Sequence, residues 1–303
     1  MADRTRPIVR LDTMNRMVTK GYRKGVYERV TNGTRGRVPR PTSKNGSFAT
    51  HWPNGREPTN LDVMNKSRCL GLVGGLGVGA TVHYYKELAK AHEAQARALN
   101  ILITHAETSR VFEYVQSKDR DGLAEYLNGY IRQMKAAGAE VAAIPAVTPH
   151  FCIKELIATS PVPVCNIFVP LARELAARAA RRIAVLGTRF VMESALFGEM
   201  EEAEVIQWKT EEVDYIHNTY VELARAGKGS EEQRRALTAL AQTAVKRDGV
   251  DAIVLAGTDL AVLFNDSNAD FPCIDCAALH LRAIEQSLGL DCDAGDLRAG
   301  RVD

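Results

Sequence analysis

An internal repeat is the feature of this sequence that most restricts its fold. Three segments of the second half repeat segments of the first half in the same order, at offsets of 113, 111 and 109 residues. The paired segments are 72–75 with 185–188, 138–148 with 249–259, and 163–166 with 272–275. A duplication with so regular an offset predicts two half-domains of the same topology.

Beyond residue 68, short apolar runs alternate with longer runs of helical period. This alternation predicts parallel sheets flanked by helices, because parallel strands need a crossover connection. The predicted fold is α/β, with two pseudo-symmetric three-layer domains and a ligand cleft between them. The predicted strands are 69–73, 101–105, 141–144, 162–166, 183–186, 252–255 and 272–275, and the predicted helices lie near 81–96, 121–137, 171–180, 191–201, 215–226 and 231–248.

The predicted domain boundaries follow from the repeat. Residues 68–168 with about 271–303 form the first α/β half, and residues 169–270 form the second. Residues 1–67 form a basic leader, which lacks a sustained apolar period and which we expect to be disordered. Residues 1–68 hold 15 Lys and Arg against 5 Asp and Glu, so the net charge of +2 for the whole chain conceals a strongly basic start.

Several interpretations of the leader stay open. It is a tail that does not pack, an upstream misread start with Met64 as the true start, a basic arm for a polyanion, or a transit peptide or docking strand. Basic residues without interleaved aromatics are weak evidence for nucleic acid, so we predict no nucleic-acid partner. If the leader did bind nucleic acid, the binding would be salt-sensitive and would be lost on deletion of residues 1–63.

Cysteine usage and hydropathy predict a cytoplasmic protein. No secretory signal precedes the cysteines and no paired spacing predicts a metal site. No run approaches the roughly 18 apolar residues of a membrane-spanning helix, so we expect no membrane partner. The six cysteines are Cys69, Cys152, Cys165, Cys273, Cys276 and Cys292.

Small and polar residues follow the repeated strands. Open α/β sheets bind ligands at the carboxyl ends of their strands, where the amides of helix N-termini point into the crevice. We therefore expect a small ligand to meet Ala146 and Thr148 from one half and Gly257 and Thr258 from the other. The alternative is that these residues only permit tight turns from strand to helix.

Several short motifs occur in a fixed order between about residues 68 and 288. They are Gly74-Gly75-Leu76-Gly77 with Ala80-Thr81 and Tyr84-Tyr85, Thr148-Pro149-His150, 186–193, His217 with 220–223, 257–260, and Asp275 with Ala277-Ala278 and His280. In order and spacing they resemble the aspartate/glutamate racemase superfamily, which also includes hydantoin racemases, maleate isomerases and arylmalonate decarboxylases. The resemblance implies a cofactor-independent isomerase of amino-acid metabolism. Because related proteins are often dimers, it also implies a homodimer.

Both cysteine positions of the superfamily pattern are empty in this chain. The matching tracts are 146–150 and 256–259, and Ala146 and Gly257 stand where the pattern has cysteine. Racemisation without a cofactor needs one group to remove the α-proton and a second group, on the opposite face, to return one. Neither a methyl group nor a hydrogen can do this. If the cleft is otherwise intact, we expect Ala146→Cys with Gly257→Cys to create proton exchange.

Other side chains are candidates for the chemistry. At the predicted start of a helix, His150 would be neutral and able to relay a proton, unless it is simply a hydrogen-bonded turn histidine. Asp259 is the second catalytic candidate. Weaker candidates are His217, His280, Cys152 and Cys276, of which the cysteines more commonly end as buried structural thiols.

The resemblance also implies where a substrate binds. Backbone amides and hydroxyls would hold its carboxylate and stabilise enolate-like charge. The predicted substrate-binding residues are Gly75, Leu76, Thr148, Thr188 and Thr258. The glycine tract has Ala80 at the third glycine position of a dinucleotide fingerprint, where alanine is sometimes tolerated, but Glu107 comes about thirty residues on and not the usual twenty or so. We therefore predict neither a nucleotide nor any other cofactor, nor a metal.

Two functional hypotheses follow. The first is a divergent racemase-like enzyme with isomerase or lyase chemistry that uses a non-thiol acid such as His150 or Asp259. The second is a catalytically silent ligand-binding or regulatory protein that kept the cleft and lost the bases.

Overall fold

The computed structural model describes residues 67–265 and 268–290. The predicted leader, apart from Ser67, lies outside the described residues, as do Met64 and Cys292. The described residues all belong to one compact unit. None of the helices in the described ranges is long and apolar enough to cross a membrane.

The first sheet is built from β1 (Leu70–Gly74), β2 (Ile101–His105), β3 (Val141–Ala143) and β4 (Val164–Cys165). All neighbours are parallel and their order is β2-β1-β3-β4. Strand β1 is buried along its whole length, as expected for an apolar central strand covered on both faces. Its Leu72 lies beside Ile103 of β2 and Ala143 of β3.

The second sheet repeats this arrangement. Its strands are β5 (Arg182–Leu186), β6 (Glu204–Val205), β7 (Ala252–Leu255) and β8 (Cys273–Asp275), all parallel, in the order β6-β5-β7-β8. The two sheets therefore share one topology. The prediction of an α/β fold with two parallel-sheet units is confirmed.

Helices follow most strands, as the parallel pairing requires. Within the described ranges they are α1 (Val78–Ala94), α2 (Thr108–Ser117), α3 (Arg120–Ala136), α4 (Ile153–Thr159), α5 (Phe168–Ala177), α6 (Arg189–Glu193), α7 (Thr210–Ala226), α8 (Glu231–Asp248) and α9 (Cys276–Ser287). Short 3₁₀ segments occur at Thr148–Cys152, Leu196–Gly198 and Thr258–Val262.

The helix after each sheet's last strand reaches toward the other half. Helix α9 follows β8 but packs on the first half, where its His280 Nε2 donates to the Cys165 carbonyl, 2.9 Å away. After α5, which follows β4, Arg178 donates to the Cys273 carbonyl of β8 at 2.7 Å. The predicted boundary near 271 assigns β8 to the first half, but β8 hydrogen-bonds within the second sheet. The chain therefore passes from the second half back to the first after β8, and the remaining domain boundaries stay predictions.

The structure also corrects one predicted helix. The expected helix at 191–201 is broken after α6, because Ala195, Leu196 and Phe197 adopt positive φ values of 50°, 55° and 63°. Left-handed backbone cannot continue a right-handed helix. The list of predicted elements also lacks β6, α2, α4 and α9.

Candidate functional site

The predicted site threonines lie where the chain leaves the strands. Thr148 and Thr258 begin the 3₁₀ segments that follow β3 and β7. Thr188 follows β5 and caps α6, its hydroxyl accepting from the Val191 amide at 3.3 Å. All three are at most 9% exposed. They therefore occupy the strand ends at which open α/β sheets bind ligands.

Two hydrogen bonds join the halves here. The hydroxyls of Thr148 and Thr188 lie 3.2 Å apart, and the Thr258 hydroxyl donates to the Pro145 carbonyl at 2.9 Å. Ala146 and Gly257 each directly neighbour a residue of the second bond, so the two empty cysteine positions flank one contact between the halves.

Tyr220 of α7 occupies the space beside Gly257. A methyl group on Gly257 would lie 2.7 Å from Cδ2 of the Tyr220 ring, well inside van der Waals contact. The paired substitution to cysteine expected to restore exchange therefore cannot be accommodated while this ring stays in place. That expectation assumed an open cleft at position 257, and the structure corrects it.

Asp259 bridges the two halves. Its Oδ1 accepts from the Ala80 amide in the first turn of α1 at 2.8 Å, and its Oδ2 accepts from the Tyr220 hydroxyl at 3.0 Å. Burial raises the pKa of Asp259, while both bonds act in the opposite direction. A carboxylate at a helix N-terminus is also favoured by the helix dipole.

The glycine turn before α1 has its own partners. The Gly75 amide donates to the Thr81 hydroxyl at 3.1 Å, and the Gly75 carbonyl accepts from the Thr108 hydroxyl at 3.0 Å. Gly75 also has a φ of 87°, which favours glycine. Leu76 is 9% exposed and belongs to the hydrophobic core. The hydrogen bonds of Gly75 lie within the first half, and the role of both residues toward a substrate stays a prediction.

His150 is fully buried and bonds to the backbone through both ring nitrogens. Nδ1 donates to the Ala146 carbonyl at 2.8 Å, and Nε2 accepts from the Ile167 amide at 3.4 Å. Burial lowers the pKa of His150 to about 4, so the ring is neutral at neutral pH. A catalytic role for His150 stays a prediction that requires one of these bonds to open.

The weaker histidine candidates also have backbone partners. Besides its bond to Cys165, His280 accepts from the Tyr84 hydroxyl at Nδ1 over 3.2 Å, and burial lowers its pKa to about 3. His217 Nδ1 accepts from the Arg189 amide at 3.2 Å. Both rings are thus held as neutral acceptors at these nitrogens.

The two alternative thiols do not resemble activated nucleophiles. Burial raises the pKa of Cys152 to about 12 and raises that of Cys276 well above its ordinary value. Both thiols remain protonated at neutral pH. Within residues 67–265 and 268–290, no three or more His, Cys, Asp or Glu side chains are grouped so as to hold a metal ion.

Sequence reasoning assigned no role to Tyr220. Its spacing with Val213, Ile216 and Leu223 is that of a buried helix face, which by itself predicts a core aromatic. The glycine at position 257 suggests that a side chain from elsewhere in the chain fills the space beside it. No sequence pattern identifies that side chain.

Comparison with known proteins agrees with this architecture. The sequence profile described as Asp/Glu/Hydantoin racemase matches residues 73–284. A protein from Yersinia pestis assigned as an Asp/Glu racemase superposes with a TM-score of 0.62 at 24% identity, covering 73% of this chain and 99% of that chain. An aspartate racemase homologue from Pyrococcus horikoshii OT3 gives 0.61 at 21% identity, over 73% and 99%. Picrophilus torridus aspartate racemase gives 0.58 at 17%, over 74% and 95%.

At these identities the structural likeness establishes a shared fold, whereas the profile match extends over more than half of the chain. The chain therefore belongs to the Asp/Glu/hydantoin racemase family.

Proposed function

We propose that this protein binds a small carboxylic acid between its two halves and transfers a proton, from one face only, at the carbon next to the carboxylate. The observation that carries the proposal is the pair of Thr148 and Thr188 hydroxyls, 3.2 Å apart and contributed by different halves. A threonine hydroxyl has a pKa far above neutral pH, so it is a poor base, but it is a good hydrogen-bond donor to a carboxylate.

The restriction to one face follows from Ala146 and Gly257, which offer no pair of opposed bases. In the tract 256–259, Asp259 is the ionisable side chain. The ionised Asp259 takes the α-proton, and the electron pair of the broken C–H bond delocalises into the substrate carboxylate. Protonated Asp259 then returns a proton to the same face. In a lyase variant, the same acid protonates the carbanion left when a carboxyl group departs as CO₂.

A catalytically silent binding or regulatory protein is the second candidate. This candidate is favoured because the possible acid–base groups are already hydrogen-bonded within the chain. Both oxygens of Asp259 and both ring nitrogens of His150 already have hydrogen-bond partners within the chain. In this alternative the threonines still bind a carboxylate, but no proton is moved.

NMR in heavy water separates the two candidates. The full chain is incubated with each enantiomer of aspartate and glutamate, with a hydantoin and with a substituted malonate. One-faced transfer predicts loss of the α-proton signal while chiral chromatography shows the starting enantiomer unchanged, or loss of CO₂ from the malonate. Asp259→Asn should abolish either reaction.

Binding is measured by calorimetry in parallel. Thr148→Val with Thr188→Val should weaken binding about tenfold or more, because hydrogen bonds to a charged group are lost. Thr243→Val on α8 is the control and should bind normally. Racemisation at a catalytic rate would contradict one-faced transfer, and binding without exchange would identify the silent protein. No binding of any probe would contradict both candidates.

A further inference from the structure

The glycine at position 257 is explained by a neighbouring side chain and not by its backbone. Gly257 has φ −111° and ψ 107°, a conformation that any residue adopts. What a larger residue would meet is the Tyr220 ring, with Cδ2 at 2.7 Å and Cζ at 3.0 Å from an added methyl group. The position of the Tyr220 ring therefore explains why residue 257 has no side chain.

Two further glycines make room for Asp259, the carboxylate to which the Tyr220 hydroxyl donates. Methyl groups on Gly77 and Gly79 would lie 2.5 Å and 2.8 Å from carboxylate oxygens of Asp259. Gly77 also needs glycine for its φ of 147°. Gly79 lies in the first turn of α1 with no such requirement, and glycine there weakens a helix. Gly79 is thus accounted for by the space that Asp259 occupies.

We propose that Tyr220 is a positioning residue of the site: its ring takes the space of the side chain absent at Gly257, and its hydroxyl holds the Asp259 carboxylate for proton transfer. The transfer step rests on the function proposed above. The arrangement of the Tyr220–Asp259 pair can be tested without any activity.

Packing fixes Tyr220 in this place. The other buried residues of α7 are Val213, Ile216, Thr219 and Leu223. Helix α7 lies against both α1 and the segment Thr258–Val262. Tyr220 is 8% exposed and Asp259 is 1% exposed. Phenylalanine would fill the same volume, so the hydroxyl is explained by its 3.0 Å bond to Asp259.

The hydroxyl also affects the charge of Asp259. The titratable groups that face this carboxylate are His83 and Tyr84 from α1 and Tyr220 from α7. The bond that Tyr220 donates favours the ionised carboxylate, and so does the Ala80 amide. Loss of the hydroxyl leaves burial opposed mainly by that amide, and the pKa of Asp259 must rise.

The first test measures this titration directly. Carbon-13 NMR follows the carboxyl signals of aspartate-labelled full chain between pH 3 and 8, and Asp259→Asn identifies the Asp259 signal. In Tyr220→Phe we expect the Asp259 midpoint to move upward by about one pH unit. An unchanged midpoint would overturn the proposal. If the chain is active, its acid-side pH profile should move in the same direction.

The second test examines the shared space by thermal unfolding. Gly257→Ala should lower the unfolding midpoint in the natural background and lower it far less, or raise it, in a Tyr220→Ala background. Gly129→Ala in α3 is the control, because an added methyl group there meets nothing within 4 Å, and it should not lower the midpoint. Equal losses from Gly257→Ala in both backgrounds would show that the ring does not occupy this space.

These tests separate the two proposals. Absence of exchange with every probe would refute one-faced transfer, yet a raised Asp259 midpoint and unequal effects of Gly257→Ala would still establish the pair. Exchange that survives in Tyr220→Phe with an unchanged pH profile would uphold the proposed function and overturn the role of Tyr220.

Discussion

At the scale of the residue, buried neutral histidines make stability depend on pH. Burial lowers the pKa of His150 to about 4 and that of His280 to about 3, whereas histidine in an unfolded chain titrates near 6.5. Between these values the unfolded chain binds protons that the folded chain does not. The free energy of unfolding therefore falls as the pH falls from about 6.5 to 4, by about 3 kcal/mol for His150.

Urea denaturation at several pH values checks this prediction. His150→Asn keeps a donor for the Ala146 carbonyl but does not titrate, so its stability should fall less steeply over the same range. A pH dependence identical to that of the natural chain would show that His150 is not the group responsible.

The sequence indicated three of the candidate site residues but not Tyr220. Thr148, Thr188 and Thr258 were predicted because each follows a strand of the repeat and lies in a motif of the superfamily pattern, and the structure puts all three at strand ends. Tyr220 was not, because its role depends on a contact between α7 and the segment after β7, far apart in sequence. Gly257 by itself indicates only a missing side chain.

At the scale of the element, the cap of α9 makes a measurable contribution. Asp275 Oδ1 accepts from the amides of Ala277 and Ala278 at 2.8 Å and 3.3 Å, and Asp275 is 5% exposed. Asp275→Ala leaves the buried amide of Ala277 and the partly buried amide of Ala278 without this acceptor and should lower the free energy of unfolding by about 2 kcal/mol. Ser230→Ala, at the exposed cap of α8, should cost less; an equal or smaller loss for Asp275→Ala would contradict this account.

Strands were easier to predict than breaks in helices. The prediction for β7 coincides with the structure, because a short apolar run between Asp251 and Gly257 leaves little choice. Strand β6 has only two residues, too few to form a pattern. The left-handed turn at Ala195–Phe197 lies in a run of helix-compatible residues, so only tertiary packing decides it.

At the scale of the whole molecule, the repeat predicted two sheets of one topology but not how they meet. Contacts between the halves depend on single side chains, such as Thr258 with Pro145 and Asp259 with Ala80. A duplicated pattern cannot show these bonds, because equivalent positions carry different residues. The central claim, that a small carboxylate binds between the halves, therefore concerns the part of the molecule that the repeat leaves open.

Threonine-methyl NMR during a titration with aspartate tests that claim most directly. Single substitutions to valine assign the signals of Thr148, Thr188 and Thr258, and Thr243 on α8 serves as the remote reference. We predict that the signals of Thr148 and Thr188 shift together along one binding curve while that of Thr243 stays fixed. Saturable binding of aspartate that leaves Thr148 and Thr188 unmoved would contradict the account.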